Sequence, residues 1–118
     1  MTHTIHNLVL ARARDLVADR RTWTRYAAAR NSRGERCWPY QNGAVRFCAF
    51  GALWRAAYEL TGDRKRALHL ASVAENFLLG PARPGQSRRL CTINDRRGRH
   101  AVLDLLNGRK RDRDCVFS

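Results

Sequence analysis

Residues 44–61 constrain the fold more than any other part of the chain. Two apolar stripes at helical spacing run through this segment: Val45, Cys48, Ala49, Ala52, Leu53, Ala56 and Leu60 in one, and Phe47, Phe50, Trp54 and Tyr58 in the other. A helix that is apolar almost all round has to be covered by other elements. We therefore predict a central helix over residues 44–61. Thr61-Gly62 ends it, and Asp63 is a good N-cap for a further helix over 64–79.

Two more amphipathic segments, residues 4–19 and 98–108, also have apolar residues at helical spacing. Between the first helix and the central one, the alternation in Thr22–Ala27 favours a short strand. Asn31–Gly34 is a turn signal, so a small hairpin or ribbon is predicted across 22–40.

Residues 90–93 are predicted to be extended, with Asn94 or Asp95 capping the last helix. The fold class is therefore mainly α: a four-helix single domain with a small β-ribbon or extended element between helices 1 and 2. The domain is expected to cover residues 1–110, and residues 111–118 form a charged tail. A chain of 118 residues is long enough to bury one ordinary core.

Charge is the feature that bears most on function. The 23 Lys and Arg residues, of which 21 are arginine, oppose only 10 Asp and Glu residues, for a formal net charge of +13. Arginine binds phosphate and carboxylate oxygens bidentately and stays charged at any relevant pH. A domain this basic typically binds a polyanion, and nucleic acid is the commonest one. DNA or RNA is therefore the expected partner, bound mainly through phosphates and without catalysis.

The predicted phosphate contacts lie in three local clusters of cations. The first holds Arg20, Arg21 and Arg25; the second is Arg64, Lys65 and Arg66 in the first turn of a predicted helix; the third is Arg96, Arg97 and Arg99. Trp23 and Trp38 lie within or near the first cluster and are candidates for stacking on unpaired bases. The alternative is a solvated basic surface with the aromatic rings in the core.

Three sequence elements together resemble a known family. They are Trp23-Thr24 with the residues up to Gly34, then Cys48 to Leu53 in a Cys-x-x-Gly-Ala-Leu pattern, and Asn94-Asp95 with Gly98-Arg99. In order and spacing, residues 5–107 are similar to an uncharacterised family of small bacterial and phage proteins, a domain of unknown function. The resemblance implies a shared fold but no activity, and His100 stands where the family has threonine. Because small phage-associated proteins often bind host proteins, it also suggests an accessory protein that binds and modulates an acidic host protein.

The sequence identifies no reaction, and no catalytic residue is assigned. The main enzymatic alternative is a cysteine hydrolase in which Cys48 lies near a helix N-terminus and His100 and Asp95 complete a triad. Against it, Cys48 shares an apolar stripe with Leu53 and Leu60, which predicts a buried thiol. The spacing of Cys37, Cys48, Cys91 and Cys115 matches no zinc pattern, so neither metal nor cofactor is expected.

The expected location is the cytoplasm. No apolar stretch approaches the roughly 20 residues that a membrane span needs. The first ten residues lack a basic n-region, so they make a poor signal peptide. The four cysteines are therefore expected to be reduced. Oligomeric state is not predicted.

Overall fold

Five α-helices and a small sheet make up the described part of a computed structural model of the protein, residues 2–86 and 89–108. The helices are α1 (Thr2–Ala18), α2 (Ala49–Thr61), α3 (Arg64–Leu79), α4 (Arg89–Arg97) and α5 (Arg99–Leu106). The strands are β1 (Ala29–Asn31), β2 (Arg36–Cys37) and β3 (Ala44–Phe47), which pair antiparallel in the order β2-β1-β3. The expectation of a mainly helical chain with a small β element between its first two helices is confirmed.

The central position predicted for α2 is confirmed by its burial. Ala52, Leu53 and Ala56 are completely buried, and both α1 and α3 pack against the helix. Gly62 ends α2 in the left-handed conformation, with a φ of 68°. Asp63 then caps α3, because its carboxylate accepts the backbone N–H groups of the first turn at 3.0 and 3.3 Å. The predicted bounds of α3 are therefore correct.

The count of four helices is wrong, because α4 occupies the segment predicted to be extended. Leu90 and Asn94, which lie four residues apart, are completely buried. The backbone N–H of Leu90 donates to the carboxylate of Glu75 at 2.9 Å. A helix N-terminus needs partners for its free N–H groups, and here α3 supplies one from across the core. Asn94 and Asp95 lie inside α4 and do not cap the last helix; Gly98 occupies the N-cap position of α5.

The strand prediction also needs correction. Residues 20–22 form a 3-10 turn, and the hairpin strands are β1 and β2, joined by the predicted turn at 31–34. Residues 44–47, predicted to begin the central helix, form β3. Phe47 pairs with Ala29 on one side and its carbonyl accepts the N–H of Thr24 on the other, at 3.0 Å. These pairings between distant segments override the local helical pattern.

Within residues 2–86 and 89–108, no helix has both the length and the apolarity needed to cross a membrane. The charged tail predicted for residues 111–118 lies outside the described residues.

Candidate functional site

The three elements of the family resemblance meet around one buried side chain, Asn94. Its Oδ1 accepts the indole N–H of Trp23 at 2.8 Å and the backbone N–H of Ala49 at 3.0 Å. Its Nδ2 donates to the carbonyl of Thr24 at 3.1 Å and to Asp95 at 3.2 Å. Asn94 therefore joins α4 to the start of α2 and to the segment before β1, which explains why a polar residue is fully buried there.

The Cys-x-x-Gly pattern forms the N-terminus of α2. The sulfur of Cys48, the N-cap residue, accepts the N–H of Gly51 at 3.3 Å, and the N–H of Cys48 donates to the carbonyl of Ala28 at 3.1 Å. A Cβ on Gly51 would overlap that same carbonyl oxygen. Glycine is therefore required where α2 presses against the backbone before β1.

The environment of Cys48 does not favour a nucleophile. A hydrogen bond with Cys91, together with burial, raises the pKa of the Cys48 thiol well above its usual range. The residue is 2% exposed. His100 lies exposed on α5, and Asp95 accepts the backbone N–H of Tyr26 at 2.8 Å. A reactive thiol has to be accessible and ionised, so the geometry does not support the hydrolase alternative.

Two arginines bind the C-terminal ends of helices. Arg99 donates to the carbonyls of Val17 and Ala18 at the C-terminus of α1, at 3.4 and 2.7 Å. Arg14 donates in turn to the carbonyl of Leu106 at the end of α5, at 3.5 Å. Cations at helix C-termini pair with unsatisfied carbonyls and with the helix dipole. These contacts account for part of the positive charge.

Another part of the charge lies in a row across the sheet. In the strand register, Arg30 of β1 stands opposite Arg36 of β2 and opposite Arg46 of β3. Residues directly opposite each other share one face of an antiparallel sheet, with Cβ atoms about 4.5–5.5 Å apart. The neighbouring pair Ala29 and Phe47 is buried, so the other face of the sheet packs on the core. We call Arg36, Arg30 and Arg46 the arginine row.

No carboxylate neutralises the arginine row within residues 2–86 and 89–108. The guanidinium of Arg30 donates to three uncharged oxygens: Thr24 Oγ1 at 3.0 Å, the Gly34 carbonyl at 3.0 Å and the Arg25 carbonyl at 3.3 Å. These contacts orient the group and leave its charge intact. Like charges placed directly opposite each other destabilise a sheet, so a bound anion would relieve the repulsion.

An open concavity of about 900 Å³ adjoins the row. We call it the basic groove, and it is lined by Asp15, Ala18, Asp19, Arg20, Arg21, Arg46 and Arg99. Arg46 belongs to both the row and the groove, so the two adjoin at this residue. Asp19 is already paired with Arg21, whose Nη2 lies 3.0 Å from Asp19 Oδ2. The hydrogen bonds from Arg21 hold the pKa of the Asp19 carboxyl below its usual value. The groove therefore remains net positive.

The structure brings some of the predicted contacts together and separates others. Arg20, Arg21 and Arg99 line the groove. Arg96 and Arg97, which end α4, are exposed. They are followed by Gly98. Arg25 packs against this glycine, because its Nη2 lies 3.1 Å from where a Cβ on residue 98 would be.

The other cluster, Arg64, Lys65 and Arg66, begins α3. It does not line the groove. Its first residue, Arg64, lies over the ring of Tyr40, and the Arg64 carbonyl accepts the indole N–H of Trp54 at 3.1 Å.

The two tryptophans predicted to stack on bases differ in their surroundings. Trp23 is half-buried, its indole N–H is bound by Asn94, and the guanidinium of Arg25 lies 5.2 Å from its ring centre. Trp38 is 55% exposed. Both assignments stay predictions, but the geometry favours Trp38.

Sequence reasoning missed Arg30, Arg36 and Arg46. The turn at 31–34 was a usable signal, because a hairpin closed there places Arg30 opposite Arg36. Arg46 was hidden by the helical pattern of its segment, and its partner depends on pairing between β1 and β3, which no local signal reveals.

Comparison with known proteins places the chain in a family without adding an activity. No curated protein and no solved structure is significantly similar to it. Residues 1–108 match the model of a family of unknown function, DUF6197. The match spans all of the described helices and strands, and it agrees with the resemblance to an uncharacterised domain over residues 5–107. The chain therefore belongs to the DUF6197 family.

Proposed function

We propose that this protein binds nucleic acid without catalysis, through phosphates that lie along the basic groove and the arginine row. The observation that carries the proposal is the row itself: three arginines in cross-strand register with no carboxylate partner in the described part of the chain. Guanidinium groups recognise phosphate bidentately. A row of guanidinium groups across a sheet is suited to binding the successive phosphates of a nucleic acid strand.

The dimensions of the surface support a polymer rather than a single small anion. Adjacent strands are about 4.8 Å apart, so the row spans about 10 Å from Arg36 to Arg46. The groove continues it past Arg46 to Arg20, Arg21 and Arg99. Arg20, Arg21, Arg36 and Arg46 are all exposed. Among the described residues, only Arg21 of these four pairs with a carboxylate, that of Asp19. Such a surface contacts several phosphates at once, which is how basic proteins gain affinity for nucleic acid irrespective of sequence.

Replacing Arg20, Arg21 and Arg46 together with glutamine is expected to weaken binding about tenfold or more, because three phosphate contacts are lost. Fluorescence anisotropy of labelled single-stranded DNA, single-stranded RNA and duplex DNA at one fixed, low salt concentration measures the change. The three side chains are exposed, and the variant loses only the surface ion pair between Arg21 and Asp19, so it should unfold at nearly the same denaturant concentration as the natural protein.

The matched control removes the same charge elsewhere. Lys65, Arg66 and Arg83 are exposed, and none of them lines the groove. Their replacement with glutamine is expected to lower the affinity at most a few-fold, because it weakens only the long-range electrostatic field of the protein. Equal losses in the two variants would show that net charge alone governs binding, and the groove would lose its assigned role. The control also tests the contacts predicted at the start of α3.

An acidic host protein is the alternative partner, because guanidinium groups also pair with carboxylates. The family resemblance to bacterial and phage proteins motivates it. A pull-down with and without nuclease treatment separates the two: partners lost after nuclease treatment were held through nucleic acid, and a partner that persists favours the alternative.

A further inference from the structure

Trp38 follows the outer end of the arginine row along the chain, and much of its ring is exposed. It follows Arg36 by two residues, directly after β2, and is 55% exposed. Tryptophan is a large apolar side chain that is highly buried on average in folded proteins. An exposed tryptophan next to unneutralised arginines therefore suggests a role in binding.

The loop holds this ring in place. The N–H of Trp38 donates to Gln41 Oε1 at 2.8 Å, and the N–H of Gln41 donates back to the Trp38 carbonyl at 3.1 Å. Arg55 of α2 donates to the carbonyls of Pro39 and Gln41 at 3.2 and 2.9 Å. The loop is thereby tied to the central helix, so little conformational entropy is lost when a ligand meets it.

Neighbouring aromatic rings fix the orientation of Trp38. Its ring stacks on Tyr40, with centres 6.2 Å apart and planes 13° apart, and meets Trp54 edge-on at 5.9 Å. Arg64 lies over Tyr40, with its guanidinium carbon 5.6 Å from the ring centre. A cation therefore also lies against the aromatic stack, at Tyr40.

We infer that the nucleic acid bound by this surface is single-stranded, and that an unpaired base stacks on Trp38 while neighbouring phosphates pair with the arginine row. The inference rests on the proposed function. In a duplex the faces of the bases are covered by their neighbours, so a fixed aromatic platform can reach them only in an unpaired strand. Proteins that bind single strands combine a basic track with aromatic platforms of this kind.

The test compares Trp38→Ala with the natural protein by anisotropy, on a labelled single-stranded DNA and on a blunt duplex of the same sequence. The natural protein is expected to bind the single strand more tightly. Trp38→Ala is expected to lose about tenfold in affinity for the single strand, the effect typical of one stacked base, and little for the duplex. Trp38→Phe, which keeps an aromatic face, should recover most of the loss.

Phe77→Ala is the matched control. Phe77 lies on α3 and is 75% exposed, so its removal deletes an aromatic ring that is more accessible than Trp38 and does not line the groove. Its affinity for both probes should be unchanged. Unaltered single-strand binding in Trp38→Ala, or equal losses on both probes, would overturn the stacking role. Absence of binding by the natural protein to either probe at low salt would instead overturn the proposed function.

Discussion

Gly51→Ala is expected to lower the free energy of unfolding by about 3 kcal/mol or more, which is a large fraction of the stability of a small domain. The added methyl group would overlap the carbonyl oxygen of Ala28 and lie 2.9 Å from its carbonyl carbon. Both partners are backbone atoms, so neither can turn aside as a side chain would. Relief requires α2 to move away from β1, which also weakens the hydrogen bond from Cys48 to Ala28.

Chemical denaturation followed by circular dichroism measures this loss, with Gly43→Ala as the control. Gly43 is exposed and has no atom within 4 Å of an added Cβ. Its replacement should change the free energy of unfolding by less than about 0.5 kcal/mol. If Gly51→Ala unfolded at the same denaturant concentration as Gly43→Ala, the close contact between α2 and Ala28 would be refuted.

Asn94→Ala is expected to destabilise the protein by a similar amount, about 3 kcal/mol or more. The substitution leaves three groups without their partners: the indole N–H of Trp23, the backbone N–H of Ala49 and the carbonyl of Thr24. Each buried polar group that loses its hydrogen bond costs about 1–3 kcal/mol. The loss also disconnects α4 from the start of α2, so we expect the indole emission of Trp23 to change.

The same denaturation experiment on Asn42→Ala supplies the comparison. Asn42 is exposed on the loop before β3, so its replacement with alanine leaves no buried polar group without a hydrogen-bond partner. Its effect should be small. A value for Asn94→Ala as small as that for Asn42→Ala would mean that solvent reaches Trp23 and Ala49 and replaces the lost bonds.

The parts of the fold that the sequence predicted are those fixed by local chemistry. The end of α2, the start of α3 and the turn at 31–34 follow from Gly62, Asp63 and the Asn31–Gly34 segment, whose preferences act within a few residues. The parts that failed depend on distant partners. β3 exists because Phe47 pairs with Ala29 and Thr24, and α4 begins where Glu75 receives the N–H of Leu90.

The candidate site likewise has features that follow from the local sequence and features that depend on distant partners. Charge clusters along the sequence were enough to select Arg20, Arg21 and Arg99, three of the residues that line the groove. They could not show that Arg99 also holds the end of α1, since that contact joins opposite ends of the chain. Nor could they place Arg46 in line with Arg30, because the register between strands that are not consecutive in sequence is set by the buried face of the sheet.

The central claim, that the basic groove and arginine row contact phosphates, is tested most directly by the salt dependence of binding. The measurement is the slope of log K against log salt concentration for a single-stranded oligonucleotide. The natural protein and the Arg20, Arg21 and Arg46 triple glutamine variant are compared. Four exposed arginines on this surface predict a slope of about −3 or steeper for the natural protein.

Removal of three of these arginines should make the slope shallower by about 2. That result would establish the groove as the place where phosphates displace counterions. Equal slopes for the two proteins, or a slope near zero for the natural one, would contradict the account.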